Sequence, residues 1–136
     1  MVGLTSEWEF RDFLDGRGLN VIREWIIALP SSAQAKFDTI ILVLQAVRIW
    51  PAQYVSALRG YEGIYELRIG SSGVQYRPLG CHGPERKQFT ILIGSIEKGG
   101  KLPKSDCETA IERRKIILKD RGRTCEHEFN PREPSS

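Results

Sequence analysis

The sequence predicts an α+β fold in which an N-terminal strand and a helical hairpin pack on an antiparallel β-meander, followed by a C-terminal helix. Three observations predict it: helical spacing of apolar residues before residue 50, strict alternation after residue 64, and a second helical stretch after Pro103. The chain has 136 residues, the usual length of one domain. We therefore expect residues 1–120 to form one domain.

The N-terminal part of the chain predicts one strand and two helices. Residues 8–13 alternate between apolar and polar, which indicates a strand with one buried face. Asn20 is a candidate N-cap, because its side-chain oxygen can accept a bond from an unpaired backbone N–H. Apolar residues recur at helical spacing over 22–29 and again over 37–47. Ser31 and Gln34 have the form of a capping box, which favours a helix start there.

The middle of the chain predicts three consecutive strands. Residues 64–69 and 74–79 alternate strictly, and the glycine- and serine-rich residues between them predict a hairpin turn. Pro78 cannot donate a ladder hydrogen bond, so the second strand either ends there or leaves that position unpaired. Residues 89–95 are almost continuously apolar, as expected of a strand buried on both faces. Hairpin links between the strands make an antiparallel meander.

The C-terminal part predicts one helix and a tail. Ser105 and Glu108 form a second capping-box pattern, and the helix should run from there to about Lys119. Its predicted inward-facing residues are Cys107, Ala110, Ile111 and Leu118. Residues 121–136 contain two prolines, many charges and one aromatic residue, which predicts a disordered tail.

Composition argues against several classes of protein. No apolar run is long enough to span a membrane, and the first eleven residues lack the pattern of a secretory signal, so we expect a cytoplasmic protein without a membrane partner. An odd count of three cysteines argues against a disulfide framework. Cys107, Cys125 and His127 are an alternative half metal site, but their spacing is poor. We expect free thiols, no metal and no cofactor.

Positive charge is concentrated in the meander and the loop after it. The formal net charge of the chain is only +3. Between Glu66 and Lys104, however, seven basic residues face three acidic ones, whereas residues 1–60 are balanced. A local excess of positive charge on one structural unit can bind a polyanion even when the net charge of the whole chain is modest. The ordinary alternative is a solvated charged surface.

Strand alternation groups the arginines of the meander. Glu66 and Arg68 lie two residues apart and share a face, as do Gln75 and Arg77 on the next strand. The hairpin can therefore bring Arg68 close to Arg77 or its neighbour. Two like charges that face each other on a sheet repel each other. Placing Arg68 beside Arg77 would therefore be favourable if an anion binds between them. The alternative is that each arginine pairs with a carboxylate such as Glu66, and spacing alone leaves both open.

No conventional catalytic motif appears in the sequence. After the third strand, Lys98, Lys101 and Lys104 surround two glycines, but this is not a P-loop. An enzyme here would act mainly through positive charge and positioning. RNA cleavage permits that, because the 2′-hydroxyl is an internal nucleophile and cationic side chains can stabilise the transition-state charge without a metal.

The order of elements and several short motifs resemble the RelE/ParE toxin superfamily, in particular its phage-derived, HigB-like branch. The resemblance rests on Tyr-Glu-Leu-Arg ending at Arg68, on Tyr76 with Arg77, and on an apolar strand followed by a lysine-rich loop with Pro103 and a basic helix. It covers about residues 7–119. Members of that superfamily are typically ribosome-dependent mRNA endonucleases that are inhibited by an antitoxin, often a helix-turn-helix DNA-binding protein.

The resemblance implies roles for individual residues. Arg68 and Arg77 would bind near the scissile phosphate, and Lys98, with Lys101, would belong to the basic site at the end of the last strand. We predict His82 or Tyr76 as the proton carrier. Further RNA contacts are predicted for Arg86, Lys87, Lys104 and Tyr76.

Two other functions remain open at this point. The branch usually carries a Phe-x-Lys-Lys run where this chain has Ile96-Glu97-Lys98-Gly99. That difference favours a non-catalytic protein on the same fold, such as a ParE-like gyrase inhibitor or a degenerate phage protein. A plain nucleic-acid-binding module is the third possibility, and it predicts salt-dependent binding without cleavage.

Overall fold

The α+β fold class is confirmed in the computed structural model, which describes residues 6–129. The chain forms three α-helices, eight short strands and one 3₁₀ turn within these residues. In chain order they are β1 (Glu9–Phe13), α1 (Val21–Ile27), α2 (Ser31–Ala46), β2 (Val55–Ala57), β3 (Tyr65–Leu67), β4 (Ile69–Ser71), β5 (Val74–Tyr76), β6 (Leu79–His82), β7 (Gln88–Ile93), α3 (Lys104–Lys119), the 3₁₀ turn (Arg121–Arg123) and β8 (Thr124–Glu126).

Six strands form one sheet in the order β2-β3-β6-β7-β1-β8. The predicted meander is present, because β3, β6 and β7 pair antiparallel in sequence order. β1 pairs with β7 in parallel, and β8 pairs antiparallel with the other side of β1 and forms the edge of the sheet. β7 is buried on both faces, as predicted: its residues from Phe89 to Leu92 are fully buried, and α1 and α3 both contact it.

The first two meander strands are each broken once, so that β4 and β5 form a separate two-stranded ribbon. The breaks fall at Arg68 and at Arg77–Pro78. The backbone N–H of Arg68 donates to the carbonyl of Tyr54, and that of Arg77 donates to the carbonyl of Ser95. Both arginines therefore lie where the hairpin ladder is interrupted, and Pro78 has no N–H with which to continue it.

Helix starts follow the sequence patterns only in part. Asn20 caps α1, since its Oδ1 accepts from the backbone N–H of Arg23 at 2.8 Å. The helix start predicted at Ser31 is confirmed, because α2 begins there. The two predicted capping boxes are wrong: Pro30 and Pro103 occupy the N-cap positions of α2 and α3 and make no side-chain cap bond. Proline fixes the backbone for a helix start without a capping side chain. Gln34 instead donates to the carbonyl of Leu29 at 2.8 Å.

The inward face of α3 also differs from the prediction at its C-terminal end. Cys107 and Ala110 are buried as predicted, and Ile111 is partly buried. Leu118 is 47% exposed, and Ile117 is buried in its place. Ile117 follows Ala110 by seven residues, which is close to two helical turns, so both side chains lie on the same face of α3. Leu118 is one position further and therefore points away from the sheet.

The prediction of a disordered tail is wrong for residues 121–129. β8 pairs antiparallel with β1, where Asp12 opposes Cys125. His127 is buried beyond the strand, and its Nδ1 lies 2.8 Å from Oδ1 of Asp12. Composition favours disorder over the whole segment, but the free edge of β1 gives this short stretch backbone partners. The rest of the predicted tail, residues 130–136, lies outside the described residues.

All three cysteines are free thiols. Residues 6–129 contain no cluster of three or more His, Cys, Asp or Glu side chains suited to a metal ion. In the same residues, no helix combines the length and apolar character needed to cross a bilayer.

Candidate functional site

A cleft of about 1070 Å³ lies between the β2–β3 edge of the sheet, the loop after β7 and the start of α3. We call it the basic cleft. Four cationic side chains and two carboxylates line it, together with small and apolar residues. The lining residues are Ser56, Ala57, Leu58, Arg59, Tyr61, Glu66, Arg68, Glu97, Gly100, Lys101, Leu102, Lys104 and Cys107.

Most of the positive charge in the basic cleft is unpaired. Within the described part of the chain, Arg59, Lys101 and Lys104 form no ion pair, and all three side chains belong to exposed residues. Glu97 likewise forms no ion pair among residues 6–129. The cleft therefore offers a cationic surface on which an anion need not first displace a carboxylate.

Glu66 lies at the centre of the polar contacts on the β3 side. Its Oε1 accepts from Ser56 Oγ at 3.1 Å and from Arg68 Nη2 at 3.2 Å. Its Oε2 lies 4.0 Å from Arg77 Nε. One carboxylate thus contacts both arginines of the hairpin, so an anion does sit between them, and that anion is Glu66.

The two arginines have different environments. The Arg68 side chain is 45% exposed and borders the cleft, whereas the Arg77 side chain is only 10% exposed. Arg77 donates from Nη1 to the Tyr76 carbonyl and from Nη2 to Gln75 Oε1, each at 3.0 Å. Arg77 therefore supports Glu66 from inside the protein, while Arg68 is available to a ligand.

Lys98 and Lys101 face each other across a two-residue turn. Their backbones exchange hydrogen bonds of 2.8 and 3.0 Å. Gly99 and Gly100 form the turn with φ of +57° and +76°, a conformation that favours glycine at both positions. Directly opposed residues on a hairpin place their side chains on the same side, so Lys98 lies beside Lys101 although it does not line the cleft. The glycines therefore bring two lysines together.

The two predicted proton carriers lie elsewhere. Tyr76 is 5% exposed and packs against the Trp25 ring in the core. His82 stacks on Trp50 with ring centroids 5.5 Å apart, and its partial burial lowers the pKa of the imidazole. Neither residue lines the basic cleft.

Arg86 and Lys87 also lie apart from the basic cleft. They line a different pocket, which contains four glutamates in addition to the two cations and Arg23. Lys87 Nζ lies 3.8 Å from Glu7 Oε2. Of the basic residues singled out from the sequence, only Arg68, Lys101 and Lys104 line the basic cleft. Arg77 is largely buried, and Arg86 and Lys87 lie on another surface.

The structure adds residues that sequence reasoning missed. Arg59 and Tyr61 come from the β2–β3 loop, and Ser56 comes from the edge strand. No spacing rule connects them with the lysines some 40 residues later. The one available signal is that Arg59 precedes Gly60, a typical loop pair close to the start of the alternating segment.

Residues 24–115, which contain every lining residue of the basic cleft, match the family model described as "Phage derived protein Gp49-like (DUF891)". The match covers about two thirds of the chain. The chain belongs to this family. Gp49-like proteins fall among the RelE-like toxin families in general, so the resemblance to the RelE/ParE superfamily is confirmed at that level. The HigB-like branch stays a prediction. No curated protein matches the chain.

The Gp49-like match begins inside α1 and ends inside α3. It therefore includes most of the helical hairpin, the whole meander and the lysine turn at Lys98–Lys101. β1 and β8, which pair with each other at one side of the sheet, lie outside the matched residues. The basic cleft belongs to the family-matched part of the fold.

Proposed function

We propose that this Gp49-like protein is the toxin of a type II toxin–antitoxin system and that it cleaves mRNA on the ribosome at the basic cleft. The observation that carries the proposal is the convergence of Arg59, Arg68, Lys101 and Lys104 on one cleft. A partly exposed cationic cleft suits the phosphates of single-stranded RNA. The family match supports a toxin-like protein, and the cleft supports RNA as its ligand.

The proposed reaction uses the RNA 2′-hydroxyl as the nucleophile. Its oxygen attacks the adjacent phosphorus, and the bond from phosphorus to the 5′-oxygen breaks, which leaves a 2′,3′-cyclic phosphate and a 5′-hydroxyl. Negative charge increases on the phosphate oxygens during this step. Arg68 and the two lysines of the cleft stabilise that charge by position, as an oxyanion site does. Glu66 holds Arg68 in place at 3.2 Å.

Proton transfer is assigned to residues of the cleft. Glu97 lines the cleft and has no ion-pair partner among the described residues, so in this proposal it accepts the proton of the 2′-hydroxyl. A lysine ammonium, from Lys101 or Lys104, donates a proton to the departing 5′-oxygen. His82 and Tyr76 have no part in this scheme because they do not line the cleft.

The proposal includes a cytoplasmic location, the ribosome as the site of action and a cognate antitoxin, which we expect to be a helix-turn-helix DNA-binding protein. A neighbouring reading frame of that type that suppresses toxicity on co-expression supports the assignment. Co-purification of the two proteins gives a direct measurement of their association.

Inducible expression tests the proposal, with growth and primer extension on cellular mRNA as readouts. We expect growth arrest and codon-phased cuts for the parent. Arg68→Ala should reduce cleavage about a hundredfold, the usual loss when one group that stabilises a transition state is removed. Glu97→Gln should reduce it at least about a hundredfold, because the proton acceptor is lost. Lys36→Ala is the matched control, because it removes an exposed cation from α2, outside the cleft. If the parent causes no growth arrest, or if all variants cleave mRNA equally well, the proposed nuclease activity is refuted.

A second candidate is a toxin that binds its target without cleaving RNA, such as a ParE-like gyrase inhibitor. Two observations favour it: no histidine lines the basic cleft, and Arg77 is occupied by Glu66 and Gln75. DNA damage in expressing cells without cuts in mRNA would select this candidate. Salt-dependent binding of naked nucleic acid with neither effect would select a plain binding module.

A further inference from the structure

Another pocket lies on the opposite face of the edge strands β2 and β3. Successive residues of a strand point to opposite faces, so Ser56 and Glu66 face the basic cleft while Val55 and Tyr65 face this pocket. Its volume is about 270 Å³, just below the range of common ligand pockets and suited to one small planar group. Its lining residues are Trp8, Arg48, Trp50, Val55, Tyr65 and His82, and we call it the aromatic pocket.

The ring N–H groups of the aromatic pocket are already used within the protein. Trp8 Nε1 donates to the carbonyl of Arg48 at 3.2 Å, and Trp50 Nε1 donates to the carbonyl of Leu44 at 2.9 Å. The two indole rings contact each other with centroids 4.9 Å apart. The indoles are thus held in fixed orientations. Phe10 and His82 both lie nearly parallel to the Trp50 ring, so a ligand would stack on the other lining rings, Trp8, Tyr65 or His82.

The remaining two rings and one cation extend this surface. His82 lies against Trp50 at an interplanar angle of 22°, and Tyr65 meets His82 edge-on with centroids 5.1 Å apart. Burial lowers the pKa of His82, which favours the neutral imidazole, and the ring acts as a further flat surface. Arg48 is exposed at the pocket, and among residues 6–129 it has no ion-pair partner. The matching ligand is flat, aromatic and negatively charged.

We propose that the aromatic pocket binds one base of a single-stranded RNA and that Arg48 contacts the phosphate of that nucleotide. Stacked rings beside an unpaired cation are the arrangement by which proteins bind single strands without sequence preference. The inference rests on the proposed function for its substrate class, because the basic cleft would hold another part of the same strand. β2 is only three residues long and forms the edge of the sheet, so an RNA chain can pass over it from one face to the other.

The pocket can be tested without any cleavage reaction. The full chain, labelled with ¹⁵N, is titrated with adenosine 5′-monophosphate while the three indole N–H resonances are followed by NMR. We expect the resonances of Trp8 and Trp50 to shift and that of Trp25 to stay constant, since Trp25 packs against Phe37 and Tyr76 instead. Trp25 is thus a control within the same molecule.

Variants separate the base from the phosphate. Tyr65→Leu should weaken binding of the nucleotide at least about fivefold, the lower end of the effect of one base-stacking ring. Arg48→Ala should weaken binding of the nucleotide but leave binding of adenosine unchanged. Lys36→Ala is the control and should bind like the parent. Inorganic phosphate that displaces the nucleotide at equal concentration would show an anion site only and overturn the proposal.

A decamer of adenylate distinguishes RNA from free nucleotide as the ligand. We expect the decamer to bind more tightly than the mononucleotide and to shift the same two indole resonances. Mononucleotide binding with no gain for the decamer would indicate a free nucleotide, and no shift at Trp8 or Trp50 would mean that the rings only pack together; either result overturns the proposal. Base binding without mRNA cleavage in cells would refute the nuclease and leave the pocket assignment intact.

Discussion

Replacing Glu66 by glutamine should destabilise the fold and at the same time strengthen RNA binding. Glutamine keeps the size of the side chain but removes the charge that both hairpin arginines contact. Two unit charges 4.0 Å apart interact by about 4 kcal/mol at an effective dielectric constant of about 20. Ion pairs that are largely exposed contribute only about 0.2–1 kcal/mol.

The Glu66 pairs lie between these limits. Arg77 is largely buried but keeps its bonds to Tyr76 and Gln75, and Arg68 is nearly half exposed. We therefore expect Glu66→Gln to lower the free energy of unfolding by about 2 kcal/mol, with a decrease in Tm of about 8 °C for a chain of this size. Calorimetry and urea denaturation measure both quantities.

RNA binding by the same variant should change in the opposite direction. The basic cleft gains one net positive charge and can contact one more phosphate. In a plot of the logarithm of the binding constant against the logarithm of the salt concentration, the slope should then become steeper by about 0.7 for a single strand. Glu112→Gln is the control: it breaks an exposed pair with Lys115 on α3 and should cost less than about 0.5 kcal/mol. An unchanged Tm together with an unchanged salt slope would contradict the central position given to Glu66.

Three further predictions concern the core and the C-terminal segment. Gly94→Ala should cost about 1–3 kcal/mol or more, because the new Cβ would overlap the Trp25 ring. Asp12→Ala should cost about 1–3 kcal/mol in urea denaturation, since it leaves the buried ring of His127 and the side chain of Asn20 without their hydrogen-bond partner. Burial raises the pKa of Cys81 to about 12, so iodoacetamide at pH 8 should leave this thiol unmodified in the folded protein and modify it after denaturation, as read by mass spectrometry.

Each of these three predictions can be contradicted by a specific result. Gly16→Ala is the control for the glycine variant, because no atom lies within 4 Å of a Cβ added there; equal stability of the two alanine variants would contradict the packing argument. An Asp12→Ala protein as stable as the parent would show that β8 is held by its backbone bonds alone. Fast alkylation of Cys81 in the folded state would show that the strand β6 opens readily.

Most of the fold could be predicted from local patterns. The alternation of residues 64–69 places Leu67 and Ile69 in the core and Glu66 and Arg68 on the cleft side, as the structure shows. Local patterns did not predict a strand whose pairing partner comes from a distant segment of the chain. β8 was not predicted because its composition is that of a tail, and it is ordered through pairing with β1, over a hundred residues away in sequence.

Local sequence patterns were enough to establish which side chains share a face, where the hairpins turn and which strand is buried on both sides. These features follow from the two-residue period of a strand and from local backbone preferences. Which cations share the basic cleft depends on long-range packing and could not be read from local patterns. Arg59, Arg68 and Lys101 come from three separate segments, and their distances depend on strand register and on how α3 packs against the sheet. The same register placed His82 and Tyr76 outside the cleft, which no local pattern could show.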